Sequence, residues 1–176
     1  ITRVHRSSVQ DRQVELKVQL DENVPDVIET DRVKLMQVLH NLLSNAIKFT
    51  QEGEVKLEVK QKKAEKNKHW LEFIVSDTGI GIREDKLNEI FDVFSQIDSS
   101  TIKEYGGTGL GLALSKLYLG LMGSQIQVES EFKKGSKFYF VLPVKAVQVE
   151  EEKAETDDAS TTPEPDISKW QILVAE

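Results

Sequence analysis

The chain has 176 residues, 39% of them hydrophobic and 30% charged, with no cysteine and a formal charge of −7. That length holds one domain with a full core plus tails, the lack of cysteine excludes disulfides and thiolate metal sites, and no apolar run reaches membrane-spanning length. Residues 150–166 carry eight acidic residues and one lysine; the rest is therefore neutral, and without a basic stripe interleaved with aromatics it is a poor nucleic-acid binder.

Residues 1–13 show no clear period and read as the end of a preceding segment. Val14, Leu16, Val18 and Leu20 then alternate with polar residues, as in a half-buried strand. Residues 21–25 form a turn, and Val27 and Ile28 add a short strand. From 31 to 50 the apolar residues Leu35, Met36, Leu39, Leu42, Leu43, Ala46 and Ile47 recur at three- and four-residue steps, which predicts an amphipathic helix with Asp31 as N-cap. Asn41, Asn45 and Lys48 share its polar side within an arc of roughly 60° at about 100° per residue. Asparagine is a poor mid-helix residue, so two of them four apart need a reason beyond solvation. A carboxamide oxygen suits Mg²⁺, and a lysine one turn on is placed to meet phosphate.

Residues 51–53 break the helix, and 54–60 alternate again. The lysine-rich stretch 61–68 reads as a solvated hairpin connection. Residues 70–76 are the most apolar strand and so the expected centre of the sheet; the strand delivers Asp77 next to Gly79 and Gly81. A carboxylate at that point needs a partner, and the glycines leave room for a flat ring. Residues 83–90 suggest a short helix. Residues 95–105 are polar and read as a mobile lid. The glycine run 106–111 can bring backbone N–H groups to an anion at the start of a helix over 112–122, which Gly123 stops. Residues 125–131 and 137–142 give two strands around a turn, and Pro143 is expected to end the sheet. The whole predicts an α+β sandwich, a mostly antiparallel sheet covered on one face by helices.

Neither a P-loop nor a strand-to-helix GxGxxG is present, so any phosphate cradle is of another kind. Asp77-Thr78-Gly79 also matches the triplet of aspartic proteases, where two aspartates share a proton. A single copy would demand a homodimer with the triplet on its axis, and that reading leaves the asparagine helix unexplained. The three histidines show no ligand spacing.

Four stretches together carry a resemblance. Residues 41–50 resemble the N box of sensor histidine kinases, 77–82 their G1 box, 91–94 their F box and 106–112 their G2 box, in the family's order and covering about residues 14–143. The resemblance implies a Bergerat-type ATP-binding fold, shared with gyrase B, MutL and heat-shock chaperone ATPases. Carried over, Asp77 would hydrogen-bond the adenine amine while Gly79 and Gly81 let the chain pass the base. Asn45 would coordinate Mg²⁺, Asn41 would support the metal and phosphates, and Lys48 would contact phosphate. Gly107, Gly109, Leu110 and Gly111 would shape the lid end over the phosphates, with Phe91 and Phe94 hinging and packing it, and Ser136 would lie near adenine. Hydrolysing relatives place a glutamate four residues before the metal asparagine. Here Asn41 stands there, which implies slow hydrolysis and a γ-phosphoryl group kept for a histidine.

The family's phosphoacceptor is a His followed by Glu or Asp, whereas His5 precedes Arg6, so no acceptor is expected within these residues. The resemblance implies a dimerisation and histidine phosphotransfer domain before residue 14, acting in cis or trans, and a homodimeric full-length protein. An acidic linker is expected over 145–166, followed over 167–176 by the start of a receiver domain, as in hybrid kinases. The domain itself would be cytoplasmic, in a protein open to membrane anchoring. A nucleotide-binding regulatory module without useful catalysis is the alternative.

Overall fold

In the computed structural model, residues 13–92 and 109–147 are described. They form a mixed sheet with the spatial order β1-β3-β4-β6-β2, in which β5 also pairs β6. The strands are β1 (Gln13–Leu20), β2 (Ile28–Glu29), β3 (Glu52–Glu65), β4 (Lys68–Asp77), β5 (Ile126–Glu131) and β6 (Gly135–Ala146). Two helices, α1 (Arg32–Phe49) and α2 (Gly111–Leu121), complete the described elements with one 3-10 turn, Glu84–Lys86. All pairings are antiparallel except that of β1 with β3. The predicted α+β sandwich is the fold observed, and the apolar strand ending at Asp77 is its central one.

Helix α1 forms where its periodicity places it. Asp31 accepts from the Lys34 N–H at 3.0 Å, a cap worth about 1 kcal/mol. Its apolar side sinks Leu35, Val38, Leu39, Leu42, Leu43, Ala46 and Ile47 into the core. Val38 takes the fully buried place expected of Met36, which is half-buried. The sheet answers with Val55, Leu57, Leu71, Phe73, Val75, Phe138, Phe140 and Leu142, and the rings of Phe73 and Phe140 stack at 5.1 Å. At roughly 1.5–3 kcal/mol per buried large apolar side chain, this layer is what presses α1 onto the strands. Its polar row is left on the other side.

Three sequence expectations are corrected. The lysine-rich stretch 61–68 is strand rather than loop: β3 continues to Glu65 through an irregularity between Gln61 and Lys63, and only Lys66 and Asn67 turn, with Lys66 at φ 50. The lysines are accommodated because they lie over Trp70 and beside Glu65 and Glu72. Residues 83–90 are not one regular helix: a 3-10 turn over Glu84–Lys86 passes into further turns closed by the Glu89 N–H to the Lys86 carbonyl and the Asp92 N–H to the Glu89 carbonyl, and Ile90 pins the segment to the core. Pro143 does not end the sheet. It sits opposite Trp70, and on the other edge of β6 the β5 partners stop at Phe140 while β2 begins at Lys145, so an N–H missing on that side leaves no ladder partner unmet.

The expected preceding segment, the lid over 95–105, most of the acidic linker and the receiver-like end lie outside the described residues. No helix among the described residues is long and apolar enough to cross a membrane.

Candidate functional site

The end of β4 is held from both sides. Asp77 pairs Val55 of β3 and Ser136 of β6. Its Oδ1 accepts from the Gly79 N–H at 2.9 Å and from the Ser136 N–H at 3.3 Å. Among the described residues nothing donates to Oδ2. Burial pushes the carboxyl above the usual aspartate range, and the two backbone hydrogen bonds pull it back part of the way. The result is a carboxylate whose one oxygen fixes its orientation and whose other oxygen remains to accept from a ligand.

The loop after Asp77 is locked by backbone contact. A Cβ on Gly79 would come within 3.0 Å of the Phe49 carbonyl, one on Gly81 (φ +64) equally close to that of Glu131, and one on Gly135 (φ +119) to that of Asp77 itself. The Cβ positions that these glycines leave empty are thus taken by neighbouring backbone carbonyls. The Ile80 N–H donates to the Phe49 carbonyl at 3.2 Å, which satisfies an orphan acceptor at the end of α1, and Thr50 Oγ1 donates to the Ala46 carbonyl at 2.7 Å. Ser130 ties the far side: its Oγ accepts from the Ile82 N–H at 2.8 Å, donates to the Gly135 carbonyl at 2.9 Å and lies 3.1 Å from Ser136 Oγ. Ser136 therefore meets Asp77 through its backbone, with its hydroxyl turned to Ser130.

Asn41, Asn45 and Lys48 are all half-buried on α1. Asn41 Nδ2 donates to Ser115 Oγ of α2 at 2.9 Å, and a Cβ on Gly111 would strike its Oδ1. Lys48 extends its ammonium over the Phe49 ring, 4.6 Å from the centroid; burial lowers its pKa, while its place in the last turn suits the negative end of the helix. The second glycine run is described from Gly109, in the left-handed region at φ 68. Leu110 then precedes α2, which starts one residue earlier than expected, at Gly111. Phe91 is half-buried against the core beneath the Lys116 ammonium. Phe94 and Gly107 lie outside the described residues.

Helix α1 thus meets both glycine motifs: Gly111 and Ser115 of α2 at its middle, and Gly79 and Ile80 at its end. Ser115, Ser130 and Thr50 are not singled out by the sequence: Ser115 and Ser130 meet Asn41 and Ile82 from distant parts of the chain, Thr50 bonds back one turn within its own helix, and the buried state of Ser115, at 2% exposure, is visible only in the fold.

Residues 30–146 match the family of histidine kinase-, DNA gyrase B- and HSP90-like ATPases. The chain belongs to this family. Hybrid signal transduction histidine kinase B of Dictyostelium discoideum is 40% identical over 141 residues, which are 80% of this chain and 7% of that protein. The autoinducer 2 sensor kinase/phosphatase LuxQ of Vibrio vulnificus is 45% identical over 131 residues, 74% of this chain and 15% of LuxQ. The chain thus spans a small part of these relatives. Among solved structures, full-length ShkA in complex with AMPPNP matches with a TM-score of 0.69 and 28% identity over 84% of this chain and 29% of ShkA. The catalytic domain of histidine kinase ThkA matches with a TM-score of 0.59 over 80% of this chain and 85% of that domain; at 24% identity it speaks for the fold alone. The chain carries the ATP-binding catalytic domain of a histidine kinase.

Proposed function

We propose that this domain binds ATP with Mg²⁺ between the polar row of α1 and the Asp77 loop, and transfers the γ-phosphoryl group to a histidine of a dimerisation and phosphotransfer domain, in cis or in trans. The observation that carries the reading is the Asp77 carboxylate at the end of the central strand, oriented through Oδ1 with Oδ2 left to accept. An exocyclic amine such as that of adenine is the matching donor, and a hydrogen bond to a charged acceptor contributes about 1.5–3 kcal/mol. Lys48 would place its charge toward phosphate, and an anion beside it would reverse the pKa lowering that burial causes.

The residues present fit a metal that arrives with the nucleotide. Among the described residues no group of three His, Cys, Asp or Glu could hold an ion, and Asn45 offers a neutral hard oxygen with no hydrogen-bond partner among them. Mg²⁺ is commonly held by few protein ligands, several waters and substrate phosphates, so Asn45, supported by Asn41, is a sufficient share from this chain. The ion would neutralise charge on the transferring phosphoryl group. What the chain supplies besides is positioning, and an amide at position 41 gives water no general base. Slow hydrolysis follows.

In the longer protein we infer a homodimer, a downstream receiver domain that takes the phosphoryl group onward, and a cytoplasmic place for this domain, with membrane anchoring supplied by other segments where present. The test is calorimetric titration with ADP and a non-hydrolysable ATP analogue, with and without Mg²⁺, followed by incubation with labelled ATP and a separately made histidine-bearing helical hairpin. Binding that Asp77→Asn weakens and label on the hairpin histidine are the expected results. A folded chain that binds no nucleotide would sink the reading, and binding without label transfer would turn it to a regulatory module.

A further inference from the structure

Asn41, the first residue of the polar row, is tied to another helix. Its Nδ2 donates to Ser115 Oγ at 2.9 Å, and its Oδ1 occupies the space that a side chain at Gly111 would fill. Gly111 and Ser115 are four residues apart and so lie on one face of α2. One supplies a hydroxyl and the other a vacancy, and together they seat a single carboxamide. Ser115 is 2% exposed, and a serine inside a helix is not favoured by propensity, so the seat is the feature that accounts for it.

We propose that Ser115 is a positioning residue for nucleotide binding: through Asn41 it fixes the carboxamide that supports the metal and phosphates and ties the start of α2 to their arrival. The inference rests on the function proposed above. A free asparagine samples several side-chain orientations, and its two ends exchange donor for acceptor when it turns. Holding Nδ2 on Ser115 leaves one arrangement, and a group held in place before the ligand arrives loses less entropy on binding. Since Gly111 and Ser115 belong to the first turns of α2, a ligand that engages Asn41 is also felt where the second glycine run enters that helix.

Calorimetry on the 176-residue chain tests this with Ser115→Ala, Asn41→Ala and the double variant. Removal of one hydrogen bond predicts that Ser115→Ala weakens Mg·ADP binding about five- to tenfold, while ADP affinity without Mg²⁺, which reports mainly the adenine end, changes less than about twofold. On the Asn41→Ala background the same change should cost nothing further. Ser124→Ala is the control. That serine is also buried, at 7% exposure, and its hydroxyl donates to the Val141 carbonyl at 2.7 Å, away from the site; its loss should leave both affinities unchanged. If Ser115→Ala spares the Mg²⁺-dependent part, or if the losses simply add, the positioning role is overturned. Failure of the underlying reading looks different: the unmodified chain then binds no nucleotide, or Asp77→Asn leaves its affinity intact.

Discussion

At the Asp77 end the candidate site is built from backbone: carbonyls fill the places where three glycines lack a Cβ, and two N–H groups aim one carboxylate. Along α1 it is built from side chains that are only half-buried, with Asn41 tethered to α2 and Asn45 without a hydrogen bond among the described residues. In the proposed function the two ends have different work. A flat base with a fixed donor pattern can be met by a rigid, preformed edge, whereas phosphates and a hydrated metal would be met by one tethered amide, Asn41, together with groups that adjust as they arrive. Substitutions of the glycines at the first end should therefore damage the fold and binding together, and those at the second should damage binding alone.

The largest effect is expected at Gly135. Its φ of +119 is hostile to any side chain, and a Cβ would collide with the Asp77 carbonyl. Gly135→Ala should cost about 3 kcal/mol or more, lowering the melting temperature by roughly 10 °C or beyond and abolishing nucleotide binding. Gly120 of α2 has nothing within 4 Å of its Cβ position. Gly120→Ala should instead stabilise by up to about 1 kcal/mol. Equal responses of the two variants in thermal unfolding would break the contrast between a built edge and an ordinary helix surface.

Next comes Asp77→Asn, which keeps an acceptor for the Gly79 and Ser136 N–H groups but replaces the free oxygen by a donor. A loss of about 10- to 100-fold in ADP affinity is expected, read by calorimetry. Burial raises this carboxyl, so the folded chain holds its proton more readily than the unfolded one. That contribution stabilises the fold fully below about pH 4 and disappears as pH climbs through the raised value. Unfolding scans should show the aspartate protein losing ground to the asparagine variant as pH rises across that window. Nucleotide affinity, which needs the carboxylate, should run the other way and fall on acidification. Smaller again is Lys48→Met, which should reduce ADP affinity about tenfold at low salt and leave adenosine affinity unchanged, because in the proposed site its charge would face phosphate and not the base.

The sequence displayed the α1 end more fully than the edge that faces it. Asn41, Asn45 and Lys48 were legible because helical spacing alone puts them on one side of a helix whose other side is apolar, and Asp77 because a strongly apolar strand runs into it. The parallel pairing of β1 with β3 left no local trace, since alternation does not reveal a strand's partner or direction. Lysine content disguised the far half of β3 as a loop; Lys63 stacks over Trp70 and Lys62 pairs with Glu72 across the strands, contacts that exist only once the sheet has formed. Gly79 and Gly81 were visible as glycines, but the carbonyls of Phe49 and Glu131 that require them come from elsewhere in the chain. Ser115 and Ser130 carry no signal at all, since a serine in a helix or near a turn is ordinary until its partner is known.

The smallest effect sharpens the contrast from the side of the ion. A site that waits for its ligand should not hold Mg²⁺ by itself, because Asn45 contributes a neutral amide and the described residues offer no cluster of carboxylates or imidazoles. Most of the ion's oxygen ligands must then come from phosphates and water. Titration of Mg²⁺ into the nucleotide-free chain should give no saturable heat in the millimolar range, and Mg²⁺ should raise ADP affinity while leaving adenosine affinity alone. Asn45→Ala should remove that increment and spare the melting temperature. Tight Mg²⁺ binding without nucleotide would mean a preformed metal cage that draws acids from outside the described residues, and the α1 end would then be as pre-built as the Asp77 end.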